Sequence, residues 1–321
     1  MKLSVLDQSP ITSGGTRAQA LRETVALAQS AAEAGYSRFW LAEHHNSPGF
    51  AGTSPEIMAM AVLDATENIR VGSGGVLLAR HEPARVAEAF QILAALHPGR
   101  VDLGVGRAGP GDPGEFNDKL IELHGHLGML AGAPNPVDVR LWLLGAGTGS
   151  APAAGFFGSG YAHAHFLNAT SGDTAIRAYY DTFRPNEHRT GPEAVAAVRV
   201  IVADTADEAE RLAESVRLWR ARKDLGRDET FPTYEDSAPE RWTRYESSRR
   251  EINDRRFVVG DAATVAEELK ALAARLSVDE LMINTPLPHI DDRIRSFALL
   301  SERLLDAPPA HARVAPAAAA T

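Results

Sequence analysis

Short apolar runs and amphipathic segments alternate along almost the whole chain. Leu3-Ser4-Val5-Leu6 reads as a strand closed by the turn-like Asp7-Gln8-Ser9-Pro10. Residues 16–34 then place Leu21, Val25, Leu27 and Ala28 at helical spacing, with Gly35 as a C-terminal stop. The alternation continues with strands over 39–42, 69–78, 101–105, 140–144, 161–166, 195–203 and 280–284. Helices are expected over 55–66, 83–96, 119–130, 150–157, 173–183, 206–223, 264–276 and 291–305. Strands separated by helices pair in parallel through right-handed crossovers. Eight of them suffice to close a (β/α)8 TIM barrel. An open doubly wound sheet is the alternative.

Three stretches break the pattern. Residues 107–138 are irregular outside their one short helix. Residues 221–256 are charge-rich and poor in aliphatics, either a solvated insertion or a mobile lid over the barrel mouth. Residues 306–321 form an Ala/Pro-rich tail, expected to be disordered. The remainder, 1–305, reads as a single domain.

Composition narrows the function classes. The 321 residues contain no cysteine, which removes disulfides, thiolate metal sites and a cysteine nucleophile. A net charge of -9 argues against a nucleic-acid or anionic-membrane surface. No run approaches the roughly 20 apolar residues of a membrane helix. "MKLSVLDQSP" lacks the apolar core of a signal peptide, so a cytoplasmic location is expected.

Barrel enzymes place their chemistry where strands end. The second strand ends abruptly in Glu43-His44-His45, three ionisable side chains after an apolar run. Alternation lets His44 face the mouth while Glu43 and His45 face outward or hold it by hydrogen bonds. Strand three carries Gly72-Ser73-Gly74-Gly75; glycines there mark either a packing accommodation or the close approach of a planar ring. Strand five runs into "GAGTGS", Gly145-Ala146-Gly147-Thr148-Gly149-Ser150, just before a helix. Its backbone N–H groups suit a phosphate, and Arg107 at the neighbouring strand end suits the charge. A merely tight turn and a surface arginine are the plainer readings. His163 and His165 alternate on one strand face, where they line a pocket or bind a metal. No strand-linked G-x-G-x-x-G unit provides a nicotinamide site.

In order along the chain, "LSVLDQSPI", "LAEHHN", "VGSGGVLL", "AALHPGRVDLGVGR", "LWLLGAG" and "VVGDAATVAEEL…DELMINTP" resemble the bacterial luciferase-like flavin-dependent monooxygenases, from Met1 to about Leu305. Within that family the chain is similar to the tailoring oxygenases of aromatic polyketide pathways, such as the mensacarcin pathway. The resemblance implies a (β/α)8 barrel, a homodimer, and reduced FMN delivered by a separate NAD(P)H-flavin reductase. Deazaflavin F420 serves some relatives instead. It implies that His44 assists flavin–oxygen chemistry, with Glu43 and His45 around it. It places Arg107 and residues 145–150 at the phosphate, and a non-proline cis peptide at Gly74–Gly75 beneath the ring. Luciferases carry a cysteine where Gly106 stands, so light emission does not follow. Close relatives have a Ser-Ser-Gly-Tyr run where this chain has Ala146-Gly147-Thr148-Gly149, which alters the phosphate contacts. The segment from Pro110 to Val139 is shorter than in most relatives, leaving the substrate side more open. The expected activity is oxygenation of a small organic substrate. Two rival classes stand beside it: a non-catalytic flavin-binding relative, and a metal-dependent barrel hydrolase using His44, His163 and His165.

Overall fold

A computed structural model of the chain describes residues 1–107, 113–129 and 138–305. Its strands are β1 (Lys2–Asp7), β2 (Arg38–Leu41), β3 (Arg70–Ser73), β4 (Val76–Leu77), β5 (Val101–Gly106), β6 (Val139–Gly145), β7 (Gly160–His163), β8 (Ala194–Ala203), β9 (Phe257–Asp261) and β10 (Glu280–Asn284). All pairings are parallel, and β4 continues β3 against β5. β10 pairs on one side with β1, Glu280 opposite Lys2, and on the other with β8, Glu280 opposite Val195. That last ladder closes eight staves into a (β/α)8 barrel and excludes the open sheet.

The helices are α1 (Arg17–Glu33), α2 (Pro55–Ala65), α3 (Pro83–Leu96), α4 (Pro113–His126), α5 (Ser150–Phe156), α6 (Gly172–Thr182), α7 (Ala206–Asp224), α8 (Arg244–Asn253), α9 (Ala262–Leu276) and α10 (Ile290–Leu304). Local chemistry sets their ends. The Thr16 side chain accepts from Gln19 N at the start of α1, and Gly35 takes φ +84° just past its end. Proline opens α2 and α3, where its missing N–H costs nothing. Asp261 caps α9 by accepting from the N–H groups of Ala263 and Thr264. No helix among the described residues is long and apolar enough to cross a membrane.

The period of two along each strand separates two cores. Val5, Phe39, Val71, Leu103, Val198 and Ile283 face the helices. Leu6, Trp40, Trp142, Val195, Ala197 and Met282 fill the barrel. Its N-terminal end is sealed by charge: Arg38 pairs with Asp102 at 3.0 Å and with Glu280 at 2.8 Å, and Arg70 pairs with the same buried Asp102 at 2.7 Å. Space therefore opens only toward the C-terminal ends of the strands.

The structure departs from the sequence pattern in several places. The third stave is not one strand: it breaks between β3 and β4, at Gly74–Gly75, whose peptide is cis. The sixth stave, expected to reach residue 166, stops at His163. The helix expected over 119–130 starts earlier, at Pro113, and ends at His126. Within 221–256 lies an unforeseen helix, α8, and β9 extends the C-terminal half of β8 outside the barrel. This insertion is built into the molecule. The Phe231 ring is fully buried, and its backbone bonds Ile11 and Ser13 in the loop after β1. The tail at 306–321 lies outside the described residues, as does part of the segment between Pro110 and Val139.

Candidate functional site

A cavity of about 770 Å³ opens at the C-terminal ends of the staves. That lies within the range of roughly 300–1,000 Å³ typical of small-molecule sites. It brings together Glu43, His44, Gly74, Gly75, Arg107, Gly145, Ala146, Gly147, Gly149 and Ser150 from four separate stretches of sequence. Thr148 and His45, also expected at the site, are not among its lining residues.

His44 lies two residues beyond inward-facing Ala42, so it too faces the mouth. Three contacts fix it. Its backbone N–H donates to Gly52 O at 2.9 Å. Its ring stacks on Phe50 at 4.1 Å, and its Nε2 lies 3.1 Å from the side-chain amide nitrogen of Gln8. With the amide in this orientation its N–H donates, Nε2 accepts, and the neutral ring carries its proton on Nδ1. Burial pushes the His44 pKa down to about 4, helped by the positive charges of Lys223 on α7 and of His45, and opposed by Asp228 and Glu43. At neutral pH His44 is an uncharged imidazole.

Glu43 and His45 make no hydrogen bond to His44; of the two alternatives the sequence left open, facing outward or holding it, the structure takes the first. Alternation turns their side chains away from that of His44 and toward each other, with Glu43 still bordering the cavity. Glu43 Oε1 accepts from His45 and, at 2.8 Å, from His81; Oε2 accepts from Leu77 N–H at 2.8 Å. Burial opposes ionisation of Glu43, yet these three hydrogen bonds outweigh it and keep the carboxyl below its ordinary range. The carboxylate thus clamps β4, just past the cis peptide, to the end of β2. Among the described residues, Glu43, His45 and His81 form the one group whose ligand atoms converge tightly enough for a metal ion. Both carboxylate oxygens are already used as acceptors, so the cluster is complete as a clamp. His44, His163 and His165 form no such group among the described residues.

Gly74 and Gly75 leave the cavity floor bare. A methyl group on Gly74 would sit 2.7 Å from Leu6 Cδ1, and one on Gly75 would sit 2.8 Å from Gly104 O. No side chain fits at either position, and the backbone itself faces the cavity.

The 145–150 turn has its carbonyls tied back. Gly145 O accepts from Ala164 N at 2.8 Å, Ala146 O from Ser171 Oγ at 2.9 Å, and Gly147 O from Tyr161 Oη at 3.3 Å. In a planar peptide the N–H points opposite to the carbonyl. The next three amides are thus turned the other way, as in an anion-binding nest. α5 has only seven residues, so these N–H groups and Arg107, rather than a long helix dipole, make the cup suitable for phosphate.

The two histidines expected to share the sixth stave part company. Ala162 and Ala164 face the barrel core, and His163 touches the cavity beside the cup. His163 Nε2 lies 3.2 Å from Asn168 O and Nδ1 lies 3.2 Å from Tyr161 Oη. His165 is buried away from the lining, with its pKa pushed down to about 4 by burial. Gln8, Phe50, Lys223 and His81 were missed as site residues. Gln8 alone carried a signal, its place at the end of the first strand.

The family model for luciferase-like monooxygenases matches residues 1–119 and 116–280. The uncharacterized protein YwcH of Bacillus subtilis (strain 168) is 37% identical, covering 95% of this chain and 100% of that protein. The N-acetyl-S-alkylcysteine monooxygenase of the same organism is 34% identical, covering 96% and 99%. The crystal structure of apo-MsnO8 superposes with a TM-score of 0.87 at 34% identity, covering 94% of this chain and 98% of that one. The fold alone is shared with an FMN complex of the oxygenating constituent of 3,6-diketocamphane monooxygenase, TM-score 0.68 at 18% identity, covering 94% and 98%. The same holds for an F420-dependent secondary alcohol dehydrogenase, TM-score 0.66 at 16% identity, covering 95% and 99%.

Proposed function

The chain belongs to the luciferase-like monooxygenase family and is an oxidoreductase, and from that premise we propose that it is the oxygenating component of a two-component flavin system. It takes reduced FMN from a separate NAD(P)H-flavin reductase and inserts one atom of O2 into a small organic substrate, as a hydroxyl or an epoxide. The observation that carries this reading is the cavity. One space joins a phosphate-sized cup, a backbone floor without side chains, and an uncharged imidazole.

When bound, reduced FMN would supply the two electrons that activate O2. The residues of this chain supply the rest. Arg107 and the amides of 145–150 hold the phosphate. Gly74 and Gly75 let a flat ring lie against the floor. Leu6, Trp40, Leu144 and Met282 keep that region apolar and exclude water. His44 accepts at Nε2 and donates at Nδ1, so it can hold and pass a proton at the mouth. The resemblance to aromatic polyketide tailoring oxygenases supports a substrate of that class. We further propose a homodimer through α2 and α3, which pack side by side. They expose Ile57, Ile92 and Leu96 at 67, 61 and 58%.

The test is an anaerobic titration with reduced FMN, followed by O2 and a substrate panel read by mass spectrometry with labelled oxygen. The panel holds aromatic polyketides, aldehydes and N-acetyl-S-alkylcysteines. Wild-type protein is expected to bind reduced FMN, and Arg107→Ala to lose about 1.5–3 kcal/mol, as for a charged hydrogen bond. Without a reductase the protein should not oxidise NADH. Binding of reduced F420 in preference to reduced FMN would move the assignment to a deazaflavin oxidoreductase.

A further inference from the structure

Five arginines are buried in the described part of the molecule. Four have an acid: Arg38 pairs with Asp102, Arg189 with Glu193, Arg217 with Glu214, and Arg293 with Glu23. Arg199 is the exception. It is 3% exposed, and its Nε–H donates to Asn284 Oδ1 at 3.1 Å. Among the described residues no carboxylate lies within ion-pair distance of it, and neither terminal nitrogen has a hydrogen-bond partner. Burial brings its pKa down to about 9, helped by the charges that reach it, Arg220 and Arg256, which have its own sign.

A buried cation without a counter-ion is costly. The rings of Phe166, Phe257 and Trp219 surround its guanidinium carbon at 5.1, 5.5 and 5.9 Å. Aromatic faces recover part of the lost solvation. They do not satisfy the N–H donors, which are directed to the edges of the planar fork.

The place of Arg199 is informative. It stands on β8 two residues beyond Ala197, which lines the cavity, and so faces the interior one layer nearer the mouth. Its partner Asn284 also donates to the carbonyl of Leu6, another lining residue, at 3.0 Å. Phe166 both covers the guanidinium and lines the cavity. Phe166 is thus the one ring among the three that Arg199 and the cavity share.

We propose that Arg199 is an anion subsite of the substrate cavity, selecting an aromatic substrate that carries a carboxylate or a phenolate. The Phe166 ring swings aside, the ring of the substrate takes its place beside the guanidinium, and the anion accepts from the Nη groups of Arg199. This deepens the oxygenase reading by naming its substrate class, and rests on it.

The experiment needs neither flavin nor oxygen, so its failure is separable from failure of that reading. Full-length protein is titrated calorimetrically with sodium benzoate and with benzamide, its uncharged counterpart, and melting temperatures are recorded. Wild type is expected to bind benzoate at least tenfold more tightly than benzamide. Arg199→Met should abolish that preference without a lower melting temperature, because an apolar chain of similar length relieves an unpaired buried charge. Arg107→Ala should keep the preference, which separates this subsite from the phosphate cup. The proposal is overturned by equal binding of the two probes to wild type. It is equally overturned by a preference that survives in Arg199→Met or vanishes in Arg107→Ala. A lower melting temperature of Arg199→Met with unchanged selectivity would make Arg199 a structural cation.

Discussion

An imidazole stacked on a phenyl ring and held near a pKa of 4 is a different tool from a solvated histidine. It does not exchange charge with the medium at pH 6–8. It stays neutral, with one nitrogen accepting and the other donating, which suits passing a proton inside an apolar mouth. His44→Ala should therefore lower product formation about 10²–10⁴-fold. Affinity for reduced FMN should change little, since the proposed phosphate contacts lie elsewhere, just past β5 and β6. A stopped-flow comparison of flavin binding and product yield checks this, and normal yield in the variant would make His44 scaffolding. In wild type the activity should show no acid limb near pH 6.5 from this group. His44 was legible because an ionisable run ending a buried strand is unusual. Its support was not. Gln8 is uncharged and passes as turn chemistry, and Phe50 and Lys223 meet only in the folded chain, 173 positions apart.

Elements that repeat a period were readable, and elements held by polar contacts were not. α3 runs from Pro83 to Leu96 as its apolar spacing dictates. α8 has no apolar stripe to announce it. Instead Thr243 and Glu246 form a capping box, with reciprocal bonds of 3.3 and 2.7 Å. Glu246 Oε1 then accepts from Arg222 at 2.9 Å and Arg227 at 3.2 Å, tying α8 to the end of α7. Thr243→Ala should cost about 1 kcal/mol locally, as cap removals do. Hydrogen exchange should accelerate over residues 244–253 while reduced-FMN affinity stays unchanged. Unaltered exchange would mean that tertiary contacts, not the cap, hold the helix. The broken third stave was half legible: the glycines stood out in the sequence, but the clamp from Glu43 to Leu77 N–H that fixes the break joins residues 34 apart.

At the scale of the molecule, eight repeats of one alternation made the barrel legible, whereas the strand-end side chains that converge depended on its closure. Its outer face adds one prediction: Ile92→Glu, which puts a charge on the apolar strip of α3, should convert the proposed dimer to a monomer in sedimentation without loss of fold, and a wild type that sediments as a monomer would remove the dimer reading. Its interior adds another. His44 and His165 are both pushed down to about 4 by burial, and His124 and His163 are shifted the same way. The unfolded chain protonates its histidines near pH 6.5, so between about pH 6.5 and 4 it binds more protons than the folded chain. Folding stability must fall as pH falls through that window. At pH 5 the loss is on the order of 2 kcal/mol for each of His44 and His165. The carboxylates with depressed values, Glu43 and Asp102, lose their contribution only lower down, below about pH 4.5. From pH 6.5 to 5 these depressed carboxylates stay ionised, and the one carboxyl among the described residues whose pKa burial raises, Glu214, acts with the opposite sign and cannot produce a decline. Urea unfolding across it should show a steady decline in wild type and a flatter profile in the double variant His44→Gln, His165→Gln. The slope is the quantity to read, because the substitutions also change packing. An equal slope in both proteins would place the acid sensitivity elsewhere in the barrel.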